Sequence, residues 1–140
     1  MVGEEDDFTA VFNHFRKWME REEKLVHPNS QVEDTSRLPK VTFVTCGDWD
    51  LNIMLPNQCK TSNIELPHYC RQWINIKKSY ANAYGKFPRS LSEMLNGFNL
   101  VFDGRPHSGI DDVRNIVRIV KKLAEEKGHV FENTSSLSVK

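Results

Sequence analysis

The sequence predicts an α/β fold in which helices flank a small sheet of parallel strands. Two short apolar runs, at residues 41–46 and 73–76, have the composition of buried strands, and segments with helical periodicity precede, separate and follow them. Strands that alternate with helices favour parallel pairing through helical crossovers. With 140 residues, 39% of them hydrophobic, the chain is long enough to bury the core of one domain.

The first predicted element is a helix over about residues 8–24. Apolar side chains recur there at helical spacing behind an acidic start, and charged residues lie between them. The apolar members are Phe8, Val11, Phe12, Phe15, Trp18 and Met19. Residues 26–40 contain two prolines and several Asn, Ser, Asp and Thr residues, which predict a loop.

The first predicted strand, at 41–46, is rich in β-branched and apolar residues, and a glycine ends it. Asp48, Trp49 and Asp50 follow directly, and a helix is expected to begin just after them. Because ligands collect at the carboxyl ends of parallel strands, topology alone places Asp48 and Asp50 at a functional edge. The alternative is structural: Asp50 caps the next helix, and Trp49 anchors the turn in the core.

The second half of the chain contains another strand and further helices. The strand at 73–76 leads into a lysine-rich segment that is compatible with a helix, and Ser90 to Glu93 form a capping-box pattern. A last helix is predicted from an apolar repeat, whose members are Ile110, Val113, Ile116, Val117, Val120, Leu123 and Ala124. Residues 132–140 have the composition of a flexible tail, so the predicted domain covers residues 1–131.

Composition limits the function classes without choosing one. Lys plus Arg and Asp plus Glu each number 19, so a nucleic acid could bind only through local patches. Cys46, Cys59 and Cys70 are widely spaced without a CxxC pair, which argues against a zinc site or a disulfide framework. The acidic amino terminus and the lack of a long apolar run predict no signal peptide and no membrane span. We therefore expect an intracellular protein, in the cytoplasm, the nucleus or both.

Aromatic and basic residues each allow a structural and a functional interpretation. Trp18, Trp49 and Trp73 could stack on nucleotide bases, but their positions beside aliphatic residues favour core packing. Lys77 and Lys78 could contact a phosphate backbone, although a solvated helix face is the default for such charges.

The stretch from Gly104 to Asp112 carries the most informative chemistry. Two glycines and a proline prevent regular structure ahead of the last helix, so His107 lies on an irregular segment, while Asp111 and Asp112 enter the first helical turn. A histidine on a mobile segment near a rigid carboxylate suits metal-assisted hydrolysis. Alternatively, the two aspartates complement the helix dipole and His107 bonds only to backbone.

Together, Trp49-Asp50 and the His107-to-Asp112 step resemble the DEDDh 3′→5′ exonucleases of the ribonuclease H-like superfamily, in particular the enhanced-RNA-interference and histone-mRNA exonuclease group. That group carries an aromatic-Asp step as its second motif and His-x-x-x-x-Asp as its third. The resemblance covers about residues 8–131, and from Phe43 to Gln58 it is most similar to the prion-protein-interacting branch.

The resemblance implies a metal-dependent nuclease that hydrolyses phosphodiesters at single-stranded RNA 3′ ends with two divalent cations, Mg²⁺ or Mn²⁺. It assigns Asp112 to the cation that activates water and Asp50 to the second cation, while His107 takes the proton from the attacking water. This division suits an in-line displacement, which needs charge neutralised on the entering and departing oxygens.

One departure from the family pattern qualifies this hypothesis. The family's first motif is Asp-x-Glu on the first strand, whereas the acids at residues 4–7 precede a helix. We therefore expect a ribonuclease H-like fold without its first antiparallel strands, an unpaired edge on the strand at 41–46, and weak or no activity of the chain alone. The alternative function is a noncatalytic RNA- or protein-interaction module that retains part of the fold.

Overall fold

The computed structural model describes residues 7–22 and 41–137, and within these ranges it contains five α-helices and three short strands. In chain order they are α1 (Phe8–Arg21), β1 (Phe43–Thr45), α2 (Leu55–Thr61), β2 (Gln72–Asn75), α3 (Ile76–Tyr84), α4 (Leu91–Gly97), α5 (Gly109–Lys127) and β3 (Ser135–Ser136). A π-helical turn, Asp50–Met54, leads into α2, and a 3₁₀ turn, His68–Cys70, precedes β2.

The sheet has the order β1-β2-β3. β1 and β2 are parallel, with Phe43 opposite Trp73 and Thr45 opposite Asn75, which confirms the predicted pairing. Within the described part of the chain, β1 has β2 as its neighbour on one side and is the edge strand on the other, as the sequence predicts. Because the strands are parallel, their carboxyl ends lie at one edge of the sheet.

The third strand was not predicted. β3 pairs with β2 in antiparallel orientation, and the backbone amides of Thr134 and Leu137 donate to the carbonyls of Trp73 and Arg71, at 3.0 and 2.9 Å. The prediction of a flexible tail over 132–140 is therefore wrong for 134–137, because backbone hydrogen bonds fix these polar residues to the sheet. Residues 138–140 lie outside the described residues.

Helices pack on both faces of the sheet. Successive side chains of a strand point to opposite faces, so Val44 contacts the main core while Phe43 contacts a second cluster that contains Met19 of α1. The main core lies among α3, α4 and α5, and its buried members are Ile76, Tyr80, Met94, Leu95, Phe98, Ile119 and Leu123. The predicted α/β class, a sheet flanked by helices, is confirmed.

Local capping explains several element boundaries. Asp7 caps α1 by accepting a bond from the amide of Ala10 at 2.9 Å. The hydroxyl of Ser90 accepts from the amide of Glu93 at 3.1 Å, as expected, but the Glu93 carboxylate accepts from the amide of Arg89 rather than from that of Ser90. None of the described helices combines the length and the apolarity needed to cross a bilayer.

The tryptophans divide between core and surface. Trp73 is 1% exposed, which agrees with the core prediction, whereas Trp18 is 46% exposed. The prediction is wrong for Trp18 because α1 buries Phe12 and Met19, seven residues apart, and Trp18 lies one position away from this stripe. The apolar repeat does form the helix α1, but the buried face of this helix is narrower than the repeat indicates.

Candidate active site

The candidate site begins at the carboxyl end of β1. The hydroxyl of Thr45 donates to the carbonyl of Gly47 at 2.6 Å, and Gly47 has a φ of +105°, a conformation that favours glycine. The Gly47 amide then donates to the Oδ1 atom of Asn75 at 3.0 Å. These bonds turn the chain away from the sheet immediately before the acidic segment 48–50.

Asn75 connects the ends of the two parallel strands. Its buried side-chain oxygen also accepts from the amide of Lys77 at 3.0 Å, which starts α3. For this reason Ile76 belongs to α3 and not to the strand predicted at 73–76. The sequence analysis missed this role, although an asparagine between a β run and a helical segment is a recognisable capping signal.

Asp48 holds this edge of the sheet together. Its Oδ1 atom accepts from the indole N–H of Trp73 at 2.9 Å and from the hydroxyl of Ser135 at 2.7 Å, and its Oδ2 atom lies 3.0 Å from the ammonium of Lys78. Desolvation alone would raise the pKa of Asp48, but the hydrogen bonds from Ser135, Trp73 and Lys78, with the charge of Lys78, lower it. Asp48 is thus a structural carboxylate of this edge.

The neighbouring Trp49 and Asp50 face solvent. Trp49 is 62% exposed, so the prediction that it anchors the turn in the core is wrong; Leu51 is the buried residue of this turn. Asp50 is the first residue of the π-helical turn, where Trp49 occupies the cap position without a side-chain hydrogen bond. The structural alternative for Asp50, a helix cap, is therefore excluded, and its carboxylate remains exposed at the strand end.

His107 lies on the irregular segment ahead of α5, as predicted. It is exposed and has a φ of +68°, and its backbone amide donates to the Oδ1 atom of Asp112 at 3.3 Å. Asp111 serves the same segment, since its Oδ2 atom accepts from the amide of Arg105 at 3.1 Å. A side chain at Gly104 would also collide with the Asp111 carboxylate. Part of the structural alternative thus holds, because both aspartates lie in the first turn of α5, but the His107 amide bonds to a carboxylate and not to backbone.

The charges of Asp50 and Asp112 both influence the Cys46 thiol. Burial raises the pKa of the Cys46 thiol; Lys77 opposes the shift, and the negative charges of Asp112 and Asp50 both add to it. Cys46 is the residue directly after β1, Asp50 lies in the turn that follows it, and Asp112 lies in the first turn of α5. The backbone of His107 is attached to Asp112 through its amide.

The described residues do not by themselves fit a pair of divalent cations. Mg²⁺ and Mn²⁺ need about six oxygen ligands, and the described part of the chain contains no group of three or more His, Cys, Asp or Glu side chains able to hold a metal ion. Asp50 and Asp112 would supply two carboxylates to such a site, and this assignment stays a prediction.

Acidic side chains at the carboxyl end of a parallel strand, with a His–Asp pair leading into a packed helix, make the chain a candidate metal-dependent phosphoesterase with an α/β fold. A family model for an exonuclease matches residues 1–120, and the chain belongs to that family. Within it, the relatives point to the ERI1 and histone-mRNA exonuclease group.

Two human relatives illustrate the likeness. The chain is 43% identical over 136 residues to ERI1 exoribonuclease 3 of Homo sapiens, a match that covers 96% of this chain and 37% of the relative. It is 35% identical over 128 residues to 3′-5′ exoribonuclease 1 of Homo sapiens, covering 89% of this chain and 33% of the relative. The chain therefore spans little more than a third of these relatives.

Solved structures agree with the sequence matches. The nuclease domain of 3′hExo, a DEDDh family member bound to rAMP, superposes with a TM-score of 0.80 at 32% identity, over 97% of this chain and 63% of that chain. A structure of a 3′-exonuclease that recognises the 3′ end of a histone mRNA stem-loop has a TM-score of 0.80 at 30% identity, over 98% of this chain and 44% of that chain. The predicted ribonuclease H-like fold and nuclease family are confirmed.

Proposed function

We propose that this chain provides the Asp50, His107 and Asp112 part of a 3′→5′ exonuclease active site that hydrolyses single-stranded RNA from its 3′ end. The observation that carries the proposal is the hydrogen bond that attaches the backbone of His107 to Asp112 in the first turn of α5, with Asp50 exposed just after the carboxyl end of β1. The names of the relatives, which are exoribonucleases, support the same substrate class.

We assign the three residues different roles. Carboxylate oxygens are the ligands that hard divalent cations prefer, so Asp50 and Asp112 are the candidate ligands for Mg²⁺ or Mn²⁺. The exposed imidazole of His107, on the segment next to Asp112, is the candidate acceptor for the proton of the attacking water. We expect this hydrolysis to occur inside the cell, in the cytoplasm or the nucleus, where the three free cysteines would stay reduced.

We further propose that this chain alone hydrolyses RNA only weakly. Two carboxylates leave most positions around two cations to water, so cation affinity and charge neutralisation are both poor. Further carboxylates from a strand that pairs with the open edge of β1 would complete the site.

A 5′-labelled single-stranded RNA incubated with the purified chain and Mn²⁺ tests the proposal. We expect slow shortening from the 3′ end that disappears in His107→Ala and persists in His14→Ala, an exposed histidine on α1. Shortening that is unaffected by His107→Ala, or that starts at the 5′ end, would contradict it.

A noncatalytic RNA- or protein-interaction module is the second candidate function. The observation in its favour is that the described residues contain no group of three possible metal ligands. Retention of the RNA in a gel-shift assay without shortening, in the natural chain and in His107→Ala alike, would support the module and reject the enzyme.

A further inference from the structure

Asn115 is a fully buried polar residue on α5 that the sequence analysis did not single out. It is 0% exposed and lies four and eight residues before the core residues Ile119 and Leu123, so it occupies the buried face of the helix. A buried amide is costly unless its donors and its acceptor are bonded. The side-chain oxygen and the side-chain nitrogen of Asn115 are both hydrogen-bonded.

The side chain of Asn115 forms hydrogen bonds with both the amide and the carbonyl of Asp103, as the backbone of a neighbouring strand would. Its Oδ1 atom accepts from the Asp103 amide at 3.1 Å, and its Nδ2 atom donates to the Asp103 carbonyl at 2.8 Å. Nδ2 also donates to the carbonyl of Asp111 at 2.7 Å. Because one donor and one acceptor engage the same backbone residue, the pair fixes both the position and the orientation of Asp103.

Arg118 supports this arrangement from the next turn of α5. Its Nη1 atom donates to the Oδ1 atom of Asn115 and to the carbonyl of Val101, both at 2.8 Å. The backbone from 101 to 103 is thereby attached to the body of the helix.

This attachment of the backbone at Asp103 also restricts His107, which lies four residues further along the chain. Between Asp103 and His107 the chain passes through Gly104 at φ +100°, and His107 itself is at φ +68°, a conformation that costs a non-glycine residue about 1 kcal/mol or more. Hydrogen bonds from the surrounding residues must offset this cost to keep the backbone in such a conformation. Asn115 holds one end of the segment, and Asp112 holds the other through the His107 amide.

We propose that Asn115 is the positioning residue that fixes the 103–107 segment, and with it His107, against α5. The proposal deepens the proposed function and rests on it where His107 is assigned as the proton acceptor. The hydrogen bonds of Asn115 go to Asp103, Asp111 and Arg118, so it acts on His107 through the backbone of Asp103.

Amide hydrogen exchange tests the attachment without any need for activity. In Asn115→Leu, which keeps the branched shape of the side chain but removes its polar atoms, we expect the amides of residues 103–108 to exchange about tenfold or more faster, while those of α3 and α4 change by less than about twofold. Arg118→Met, at a partly exposed position, should give a smaller increase confined to 101–108. Lys122→Met, which loses only its pair with Glu126 on the same helix, is the control and should change neither region.

RNA shortening tests the catalytic consequence. A displaced base costs turnover and not binding, so we expect kcat to fall about tenfold to a hundredfold in Asn115→Leu with KM for RNA unchanged. Unchanged exchange in 103–108 overturns the proposal, and so does an equal increase in every element of both variants, which would mean general destabilisation. If the natural chain does not shorten RNA, the proposed function fails on its own, and the exchange result still decides the role of Asn115.

Discussion

The backbone amide of His107 donates a hydrogen bond to the Oδ1 atom of Asp112, 3.3 Å away and five residues ahead in the sequence. The candidate proton acceptor is thus attached to the candidate cation ligand, and the ligand lies on a helix held by the main core. Removing the carboxyl group and removing only its charge should therefore have different effects.

Asp112→Asn should abolish RNA shortening while leaving the 103–107 segment in place. The amide oxygen can still accept from His107, so the melting temperature should change little, but the negative charge that a cation needs is lost. Asp112→Ala should lose activity and also speed amide exchange at His107. Full activity in Asp112→Asn would show that the carboxylate takes no part in the reaction.

Asp48→Asn should destabilise the fold in a pH-dependent manner, by about 1 kcal/mol at neutral pH given the partial exposure of the carboxylate. The pKa of Asp48 is lower in the folded protein than its ordinary value, so the charge stabilises the native state above the unfolded pKa of about 4. That contribution disappears as pH falls through the folded pKa.

Urea unfolding of natural and Asp48→Asn chains at several pH values measures this effect. The difference in unfolding free energy should shrink as the solution becomes acidic. Glu65→Gln, at an exposed position, is the control and should show a small difference throughout. A difference for Asp48→Asn that grows towards acid pH would contradict the assigned sign.

Gly47→Ala should destabilise the turn after β1 by about 1–2 kcal/mol. An added Cβ would meet no atom within 4 Å, so the cost comes from the φ of +105° alone. Gly109→Ala is a matched control, because its Cβ would also meet nothing within 4 Å and the residue begins a helix at negative φ. Equal effects of the two substitutions on urea unfolding would show that the Gly47 conformation is not required.

The pKa of the Cys46 thiol should respond to the charges of both Asp50 and Asp112. Burial raises its pKa, and Asp112 and Asp50 raise it further, so Asp50→Asn and Asp112→Asn should each lower this pKa. The pH dependence of alkylation at Cys46, followed by mass spectrometry of its peptide, measures the shift, and Glu65→Gln should leave it unchanged. A Cys46 pKa that responds to one aspartate only would place the two acids in separate environments.

The strongly patterned parts of the fold could be predicted from the sequence. The apolar runs gave the parallel pair β1 and β2, and the repeat after Gly109 gave α5, because burial of these side chains decides their structure. β3 was missed because Ser135 and Ser136 have no apolar pattern, and backbone bonds to β2 hold them.

The places of the motif residues in the fold could be predicted, whereas the contacts that support them could not. The positions of Asp50 and His107 followed from their neighbours in sequence, whereas the exposure of Trp49 depends on how the π-helical turn is oriented on the core. Asn115 and Asp48 act through partners up to 87 residues away, at Ser135 in the case of Asp48, which local spacing does not reveal. A polar residue at a buried helical position was the available signal for Asn115.

A double-mutant cycle of Mn²⁺ binding, followed by electron paramagnetic resonance of the free ion, tests the central claim that Asp50 and Asp112 belong to one site. If they belong to one site, Asp50→Asn and Asp112→Asn each weaken binding, and the loss in the double variant is smaller than the sum of the two single losses. If Mn²⁺ binding is unchanged by either substitution, or if the two losses simply add, the acids do not form a common site and the account is wrong.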